Sequence, residues 1–336
     1  MQVQSKPVVP SDQGFETVDL SVLVPVHNEE DNIVPLVESI SAALKDSGKS
    51  WELILVDDGS TDGTLARARA QLARPGLQLK VIELQRNYGQ AAGLQAAIDA
   101  ARGRLIATLD GDLQNDPADI PRMIEMLETQ DLDMVCGWRK DRQDGLMLRL
   151  IPSWIANRLI RKVTGVHIHD YGCGLKVYRA KVLKQVRIMG GMHRFIPAWI
   201  ASVTPTRRIG EMVVNHHARQ FGQSKYGISR TSRVILDLFS VLFFMRFRQR
   251  PGHFFGTIGL VLGAISAAMF FYLFVVRFVV GQDIGTRPML LMAIMLFLGA
   301  IQMITTGVVA EMLVRSSGDG DVYLVREVYE VENGNS

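Results

Sequence analysis

The sequence predicts an α/β domain with a mostly parallel sheet, followed by a C-terminal two-helix transmembrane hairpin. From Leu20 to about Val214, short β-rich runs alternate with longer amphipathic stretches, the pattern of successive strand–helix units. Residues 254–276 and 288–310 hold no charged side chain, and each run exceeds the roughly 20 apolar residues that span a bilayer as a helix. Three of the strand-like runs end in clusters of acidic residues, where ligands sit in an open α/β sheet.

Residues 1–19 carry Pro7, Pro10 and scattered polar residues with no apolar core, so they read as a flexible leader and not as a secretory signal. The catalytic-type domain is expected over residues 20–227. Strands are expected at Leu20–Val26, 52–56, 79–84, 105–109 and 134–136, with helices at 33–45, 64–73, 91–101 and 119–129. Residues 146–163 mix Leu, Ile, Met and Trp154 with Arg149, Arg158, Arg161 and Lys162. Residues 228–250 are rich in Leu, Phe and Val with interspersed arginines. Both segments suit amphipathic helices lying at a membrane interface.

The hairpin is expected over 251–314, with spans near 254–280 and 288–312 and a tight turn at 281–287. Arg246, Arg248 and Arg250 precede the first span and Arg315 follows the second, while the turn holds one Asp and one Arg. The positive-inside rule therefore places both termini and the α/β domain on the cytoplasmic side of an inner membrane. A cytoplasmic tail, 315–336, alternates apolar and charged residues as an edge strand or a subunit contact would.

The averages conceal this partition. The chain has 336 residues, 48% of them hydrophobic, and a net charge of +3, with a mean hydropathy of +0.13. So small a charge excludes a nucleic-acid partner. Two cysteines, Cys136 and Cys173, exclude a disulfide scaffold and a four-cysteine zinc site. Neither a Gly-x-Gly-x-x-Gly nor a Gly-Lys-Ser/Thr loop opens a helix, which removes the dinucleotide and P-loop readings.

Acid ends the strands instead. The first closes as Pro25-Val26-His27-Asn28-Glu29-Glu30, the second as Asp57-Asp58-Gly59-Ser60-Thr61-Asp62-Gly63, and the fourth as Asp110-Gly111-Asp112-Leu113-Gln114-Asn115-Asp116. Asp110 and Asp112 with the Gln114 amide oxygen offer hard oxygen ligands to Mg²⁺ or Mn²⁺, leaving positions for water and substrate phosphates. A metal there would neutralise a diphosphate leaving group.

In this order, SVLVPVHNEEDNI (21–33), ELILVDDGSTDGT (52–64), QRNYGQAAGL (85–94) and LDGDLQNDP (109–117) resemble the motifs of family 2 glycosyltransferases, inverting enzymes of the GT-A nucleotide-sugar-binding fold. GWRKDRQD (137–144), NRLIRKVTG (157–165), DYGCGLKVYR (170–179), HRFIP (193–197) and FGQSKY (221–226) are similar to those of the polyprenyl-phosphate sugar transferases. Within that group the chain resembles dolichyl-phosphate mannose synthases and is most similar to the bacterial undecaprenyl-phosphate 4-deoxy-4-formamido-L-arabinose transferases.

The resemblance implies roles residue by residue. Pro25, Glu29 and Asp57 hold the donor nucleotide, and Arg219 and Lys225 close over its diphosphate. Asp110, Asp112 and Gln114 hold the metal, Mg²⁺ or Mn²⁺. Arg139, assisted by Arg149, faces the acceptor phosphate. Asp170 stands at the position of the catalytic base. A lipid monophosphate has a second pKa of about 6 and is largely ionised near neutrality, so Asp170 either accepts a residual proton or orients the acceptor.

The implied reaction moves a sugar from a UDP-sugar, or a GDP-sugar, to undecaprenyl or another polyprenyl phosphate at the bilayer, in cell-envelope glycan or lipid A modification. The resemblance also implies a homo-oligomer, with a tetramer suspected. The metal motif reads Asp-Gly-Asp where Asp-Ala-Asp is usual, which adds flexibility without removing a ligand. HRFIP and Gly174 depart from the aminoarabinose pattern, HRFIP toward the hexose and mannose transferases, so the sugar is left open and a GDP-mannose-dependent synthase is an alternative. A processive polysaccharide synthase and a non-catalytic membrane scaffold are the others; the first lacks its Gln-x-x-Arg-Trp motif and the second conflicts with the intact acid set.

Overall fold

Strand β1 (Leu20–Val26) is apolar at almost every position because both of its faces are covered. It pairs in parallel with β2 (Trp51–Asp57), Leu20 opposite Trp51 through Val26 opposite Asp57, and with β4 (Leu105–Thr108) on its other side. Leu20, Val22, Val24 and Val26 join Leu53, Leu55, Leu105 and Ala107 on one face, packed with Ile33, Leu36, Val37, Ile40 and Leu44 of helix α1 (Ile33–Leu44). The same cluster takes in Ile120, Met123, Ile124 and Leu127 of α4 (Asp119–Thr129). Helix α3 (Gln90–Ala100) packs against β1 and β2 and buries Leu94, Ala97 and Ile98. Each such fully buried aliphatic side chain contributes about 1.5–3 kcal/mol.

This computed structural model describes residues 18–140, 161, 165–188, 195–218, 243, 247, 251–285 and 287–316. Residues 1–17 of the expected leader, the interfacial helix at 146–163 except for Arg161, nearly all of 228–250 and the tail beyond 316 lie outside those residues; the last two leader residues are anchored instead, Val18 by burial and Asp19 by bonds to Ser50 and Arg104. The chain divides into two compact units, Met1–Leu242 and Phe243–Ser336.

The first unit holds a seven-stranded sheet in the order β3-β2-β1-β4-β6-β5-β7, with β3 at Leu79–Glu83, β5 at Met134–Trp138, β6 at Lys176–Arg179 and β7 at Ile209–Val213. Every pairing is parallel except the two made by β6, which runs antiparallel to β4 and β5. The expected strands and helices are present within a residue or two, except that 64–73 divides into α2 (Thr64–Ala70) and a short 3-10 turn. Sequence reading missed β6 and β7, as well as the short helices α5 (Ala180–Leu183) and α6 (Ile196–Ile200). The antiparallel insertion matters most, because register places Lys176 opposite Thr108 and brings residues 170–175 beside the loop after β4.

In the second unit, α7 (Pro251–Phe278) and α8 (Pro288–Ser316) are the two helices long and apolar enough to cross a membrane among the described residues. Small residues at seven-residue spacing form their seam. A Cβ on Gly259 would come 2.7 Å from Ile304 Cγ1 and 3.0 Å from the Ala300 carbonyl, and one on Gly307 would come 3.1 Å from Phe255 Cβ. Ser266 Oγ donates to the Ala293 carbonyl oxygen at 2.8 Å, and the Gly252 N–H donates to Glu311 Oε2 at 3.2 Å. Backbones this close are the usual basis of helix association in lipid. Leu260, Phe271, Phe274, Leu291, Met295 and Leu298 point outward and are exposed.

Candidate active site

The three acid clusters do two different jobs. Some of their carboxylates staple loops together. Asp58 accepts the Tyr88 and Gly89 N–H groups at 2.7 and 2.8 Å. Glu30 accepts the Gly63 N–H at 3.1 Å, and Asp62 accepts the Thr64 N–H at 3.0 Å. Asp119 accepts the Asn215 N–H at 2.7 Å and ties β7's exit to α4. Gly59, at φ +63°, lies so close to the backbone of Arg86 and Asn87 that any Cβ would overlap it.

Asp57 is different. It ends β2, is buried, and its Oδ2 accepts the Ser60 N–H at 3.2 Å. Its Oδ1 is buried with no hydrogen-bond partner among the described residues. A buried carboxylate oxygen left unpaired is costly, so a donor from a ligand is the natural complement. Pro25 lies beside it on β1, opposite Val56, and packs against α3, where a Cβ on Gly93 would come 3.2 Å from Pro25 Cβ. The Glu29 N–H donates to Thr64 Oγ1 at 2.8 Å.

Beyond β4, Asp110 Oδ1 accepts Gln90 Nε2 at 2.7 Å. Burial and the neighbouring negative charge of Asp112 push the Asp110 carboxyl above its ordinary range, while Lys176, Arg139 and Gln90 oppose the rise. Asp112 Oδ1 accepts the Gln114 N–H at 3.2 Å, and Leu113 between them has φ +59°, a left-handed conformation that costs a side-chain-bearing residue roughly 1–2 kcal/mol. Space around Gly111 is also tight. A Cβ there would sit 2.7 Å from Val26 Cγ1.

Gly174 faces the same carboxylate, and a Cβ on it would overlap Asp110, with Oδ1 at 2.7 Å. Backbone alone thus leaves the space that the Asp110 side chain fills. Two crowded carboxylates fit a hard divalent cation that keeps water or substrate oxygens in its remaining positions. No group of three or more His, Cys, Asp or Glu side chains able to hold a metal occurs among the described residues, so these residues do not form an all-protein cage.

The third part of the site joins two segments far apart in sequence. Arg139, just past β5, donates from Nε to Asp170 Oδ2 at 2.8 Å and from Nη2 to Asp170 Oδ1 at 3.1 Å. The Gly172 N–H adds a bond to Asp170 Oδ1 at 3.1 Å. Arg139 Nη1 donates to nothing among the described residues. Burial opposes the Arg139 charge, but the bonds and charge of Asp170 outweigh it and hold the guanidinium firmly protonated.

Glu211 of β7 anchors the pair from behind, accepting the His169 and Asp170 N–H groups at 2.7 and 2.9 Å. The His169 ring meets Glu211 Oε2 at 2.7 Å and stacks on Trp138 at 4.2 Å between centroids. His216 bridges to Asn115, in keeping with a strand-edge role. Cys173 is pushed up to about 11 and Cys136 higher still, both by burial, so neither supplies a thiolate.

Of the residues singled out from sequence, Asp110 and Asp112 adjoin each other and Arg139 pairs with Asp170, while Pro25, Glu29 and Asp57 lie at the ends of β1 and β2. Gln114 reaches the loop through its backbone. Arg149, Arg219 and Lys225 lie outside the described residues. Sequence reasoning passed over Gln90, Lys176 and Glu211. The first two sit inside motifs already quoted, whereas Glu211 lies in a strand with no signal.

The Glycosyl transferase family 2 profile matches residues 21–187. Over 98% of this chain and 98% of its relative, the sequence is 57% identical to the dodecaprenyl-phosphate galacturonate synthase of Rhizobium johnstonii. The chain belongs to glycosyltransferase family 2. This family 2 transferase is also 35% identical to the undecaprenyl-phosphate 4-deoxy-4-formamido-L-arabinose transferase of Edwardsiella ictaluri, over 91% of the chain and 92% of the relative. Its fold is that of glucosyl-3-phosphoglycerate synthase from Mycobacterium tuberculosis, crystallised with Mn²⁺, UDP and glucosyl-3-phosphoglycerate. That match has a TM-score of 0.54 and 19% identity, covering 68% of this chain and 80% of the other. The transferase therefore has the expected GT-A architecture, with a candidate transmembrane hairpin appended.

Proposed function

We propose that this family 2 transferase moves a hexuronic acid of the galacturonate type from a UDP-sugar to a polyprenyl phosphate, with inversion at the sugar carbon. The carrying observation is the 57% identity, sustained along nearly the whole of both chains, to a galacturonate-transferring relative. Asp110, Asp112, Arg139 and Asp170 supply a site whose charges suit two phosphorylated substrates.

Asp57, with its unpaired Oδ1, takes an N–H of the nucleotide base, and Pro25 and Glu29 flank that subsite. A divalent cation, Mg²⁺ or Mn²⁺, held by Asp110 and Asp112 and by Gln114, neutralises the diphosphate as a Lewis acid when bound. Arg139 offers its free Nη1 edge to the acceptor phosphate. Arg149 is assigned to the same phosphate, and Arg219 and Lys225 to the donor diphosphate. A phosphate oxygen of the acceptor forms a bond to the sugar C1 as the bond from C1 to the nucleoside diphosphate breaks, and the electron pair leaves with the diphosphate.

The acceptor is already largely dianionic near neutral pH. Asp170, with donors on both oxygens, is assigned to aiming Arg139 and not to removing a proton. Holding both phosphates in line supplies much of the rate. The apolar hairpin keeps the chain at the bilayer that confines the acceptor, and the arginines flanking it support a cytoplasmic catalytic unit in an inner membrane.

Purified protein incubated with polyprenyl phosphate, Mn²⁺ and a panel of UDP- and GDP-sugars, with the lipid product weighed by mass spectrometry, tests this. A hexuronate increment from the UDP donor is expected. Transfer only of mannose from its GDP donor, or only of an aminoarabinose, would overturn the assignment.

A further inference from the structure

Helix α1 begins without the cap its sequence offers. Asn32 stands at the N-cap position, but its backbone is already helical, at φ −87° and ψ −20°, and its side chain makes no cap bond. An asparagine there normally accepts an N–H from the first turn of the helix. Asn32 is committed elsewhere. Its Nδ2 donates to Glu29 Oε2 at 2.5 Å, and its Oδ1 is buried with no hydrogen-bond partner among the described residues. Asn32 is only 1% exposed, so bulk water does not satisfy that oxygen. The helix thus gains no cap from this residue, and the fold carries a buried acceptor left unpaired.

The bond secures Glu29 instead. Its backbone is fixed on both sides: the Glu29 N–H donates to Thr64 Oγ1 at 2.8 Å, and the Glu29 carbonyl oxygen accepts the Asn32 N–H at 3.0 Å. Thr64 is held in turn, its hydroxyl donating to Asp62 Oδ1 at 2.5 Å. With the backbone stapled, the Asn32 amide ties down the far end of the Glu29 side chain. A glutamate surrenders much rotamer freedom when a ligand orders it, and ordering it beforehand improves affinity.

We propose that Asn32 is a positioning residue for the donor nucleotide, whose amide presets the Glu29 carboxylate before the nucleoside diphosphate arrives. The inference rests on the placement of Glu29 at the nucleotide subsite made above.

The test is UDP titrated by calorimetry into the full-length protein in detergent, with Mn²⁺ present. Asn32→Asp is nearly isosteric and suits the positive end of the helix dipole, yet it sets a second carboxylate against Glu29. Asn32→Ala removes the donor and leaves a good helix former. Each should weaken UDP binding by about tenfold, the order of effect of ordering one long side chain on binding, with KM for the polyprenyl phosphate unchanged. The Tm of Asn32→Ala should stay near wild type. On a Glu29→Ala background, Asn32→Ala should cause no further loss, because it acts through Glu29. A merely structural asparagine would lower Tm and add its effect to that of Glu29→Ala.

Unchanged UDP binding by the folded Asn32 variants, or an equal loss from Asn32→Ala with and without Glu29, overturns the proposal. Failure of both variants to fold overturns it equally, since the fold and not the nucleotide subsite would then demand the amide. Failure of the underlying reading looks different: Glu29→Ala would itself leave UDP binding unchanged.

Discussion

Arg139 and Asp170, thirty-one positions apart, form a two-pronged ion pair at 2.8 and 3.1 Å with both side chains mostly buried. Planar guanidinium and carboxylate groups matched in this way are directional as well as strong. On the function proposed above, the pair assigns Asp170 to orienting Arg139. Asp170→Asn should lower kcat/KM for polyprenyl phosphate by about a hundredfold, the cost of a misplaced reacting group, chiefly through KM. Steady-state kinetics across pH check it. A base would show as loss of the acidic limb of the wild-type kcat profile in the variant, and an orienting group would leave that limb in place.

Removing the other partner probes stability. Arg139→Met takes a two-pronged ion-pair partner away from the buried Asp170, and breaking such a pair typically costs about 3–5 kcal/mol. Because Arg139 retains 15% side-chain exposure, the lower end of that range is expected in urea unfolding of the detergent-solubilised protein.

Gly174→Ala places a methyl group on the Asp110 carboxylate. The backbone of Gly174 needs no left-handed conformation, so the fold should persist while Asp110 is displaced. Transfer activity should fall by about a hundredfold or more, with a near-wild-type circular dichroism spectrum. Full activity would show that the position of Asp110 is not critical.

Asp110 carries a raised pKa from burial and from Asp112. A group whose folded-state pKa lies above its unfolded value stabilises the fold below the unfolded value and loses that contribution as pH rises through the folded one. At neutral pH the ionised carboxylate therefore works against folding in the metal-free protein. Asp110→Asn should raise its Tm at pH 7, with the gain shrinking as pH falls toward the ordinary carboxylate range, while abolishing transfer. Melting curves from pH 4 to 8 in the presence of a chelator measure it.

Glu211→Ala removes the acceptor of two backbone N–H groups and of the His169 ring. The Asp170 N–H is the more enclosed of these donors, and leaving it unsatisfied costs about 1–3 kcal/mol. A destabilisation of that order, accompanied by a raised KM for the acceptor, is expected. A change in KM for the nucleotide sugar alone would contradict the placement of Glu211 behind the Arg139–Asp170 pair.

Local pattern was enough for the strands β1 to β5, the helices α1 to α4, the hairpin and the position of Asp110-x-Asp112. Each is specified by its own neighbours, through a run of buried aliphatics, a helical spacing or an unbroken apolar span. β7 was illegible because its five residues include Gly210 and Glu211 and show no alternation. β6 was illegible because four residues containing a lysine and an arginine do not announce a buried strand. The acid clusters were legible as clusters but not as individuals. Nothing in the order of Asp57 and Asp58 says that the second is saturated by the 88–89 backbone and the first is left with an unpaired oxygen.

By itself, then, the sequence determined the alternating α/β plan, the two spans and the family, because these depend on periodicity, length and motif order along the chain. Only the tertiary structure decided that Gly174 shapes the space around Asp110, that Arg139 is held by Asp170, and that Lys176 lies buried on β6 with its ammonium on the Cys173 carbonyl oxygen. All three follow from the antiparallel docking of β6 between β4 and β5. That docking joins Cys136 to Lys176 and Leu105 to Arg179, residues far apart in the chain, and short-range sequence signals carry no record of it.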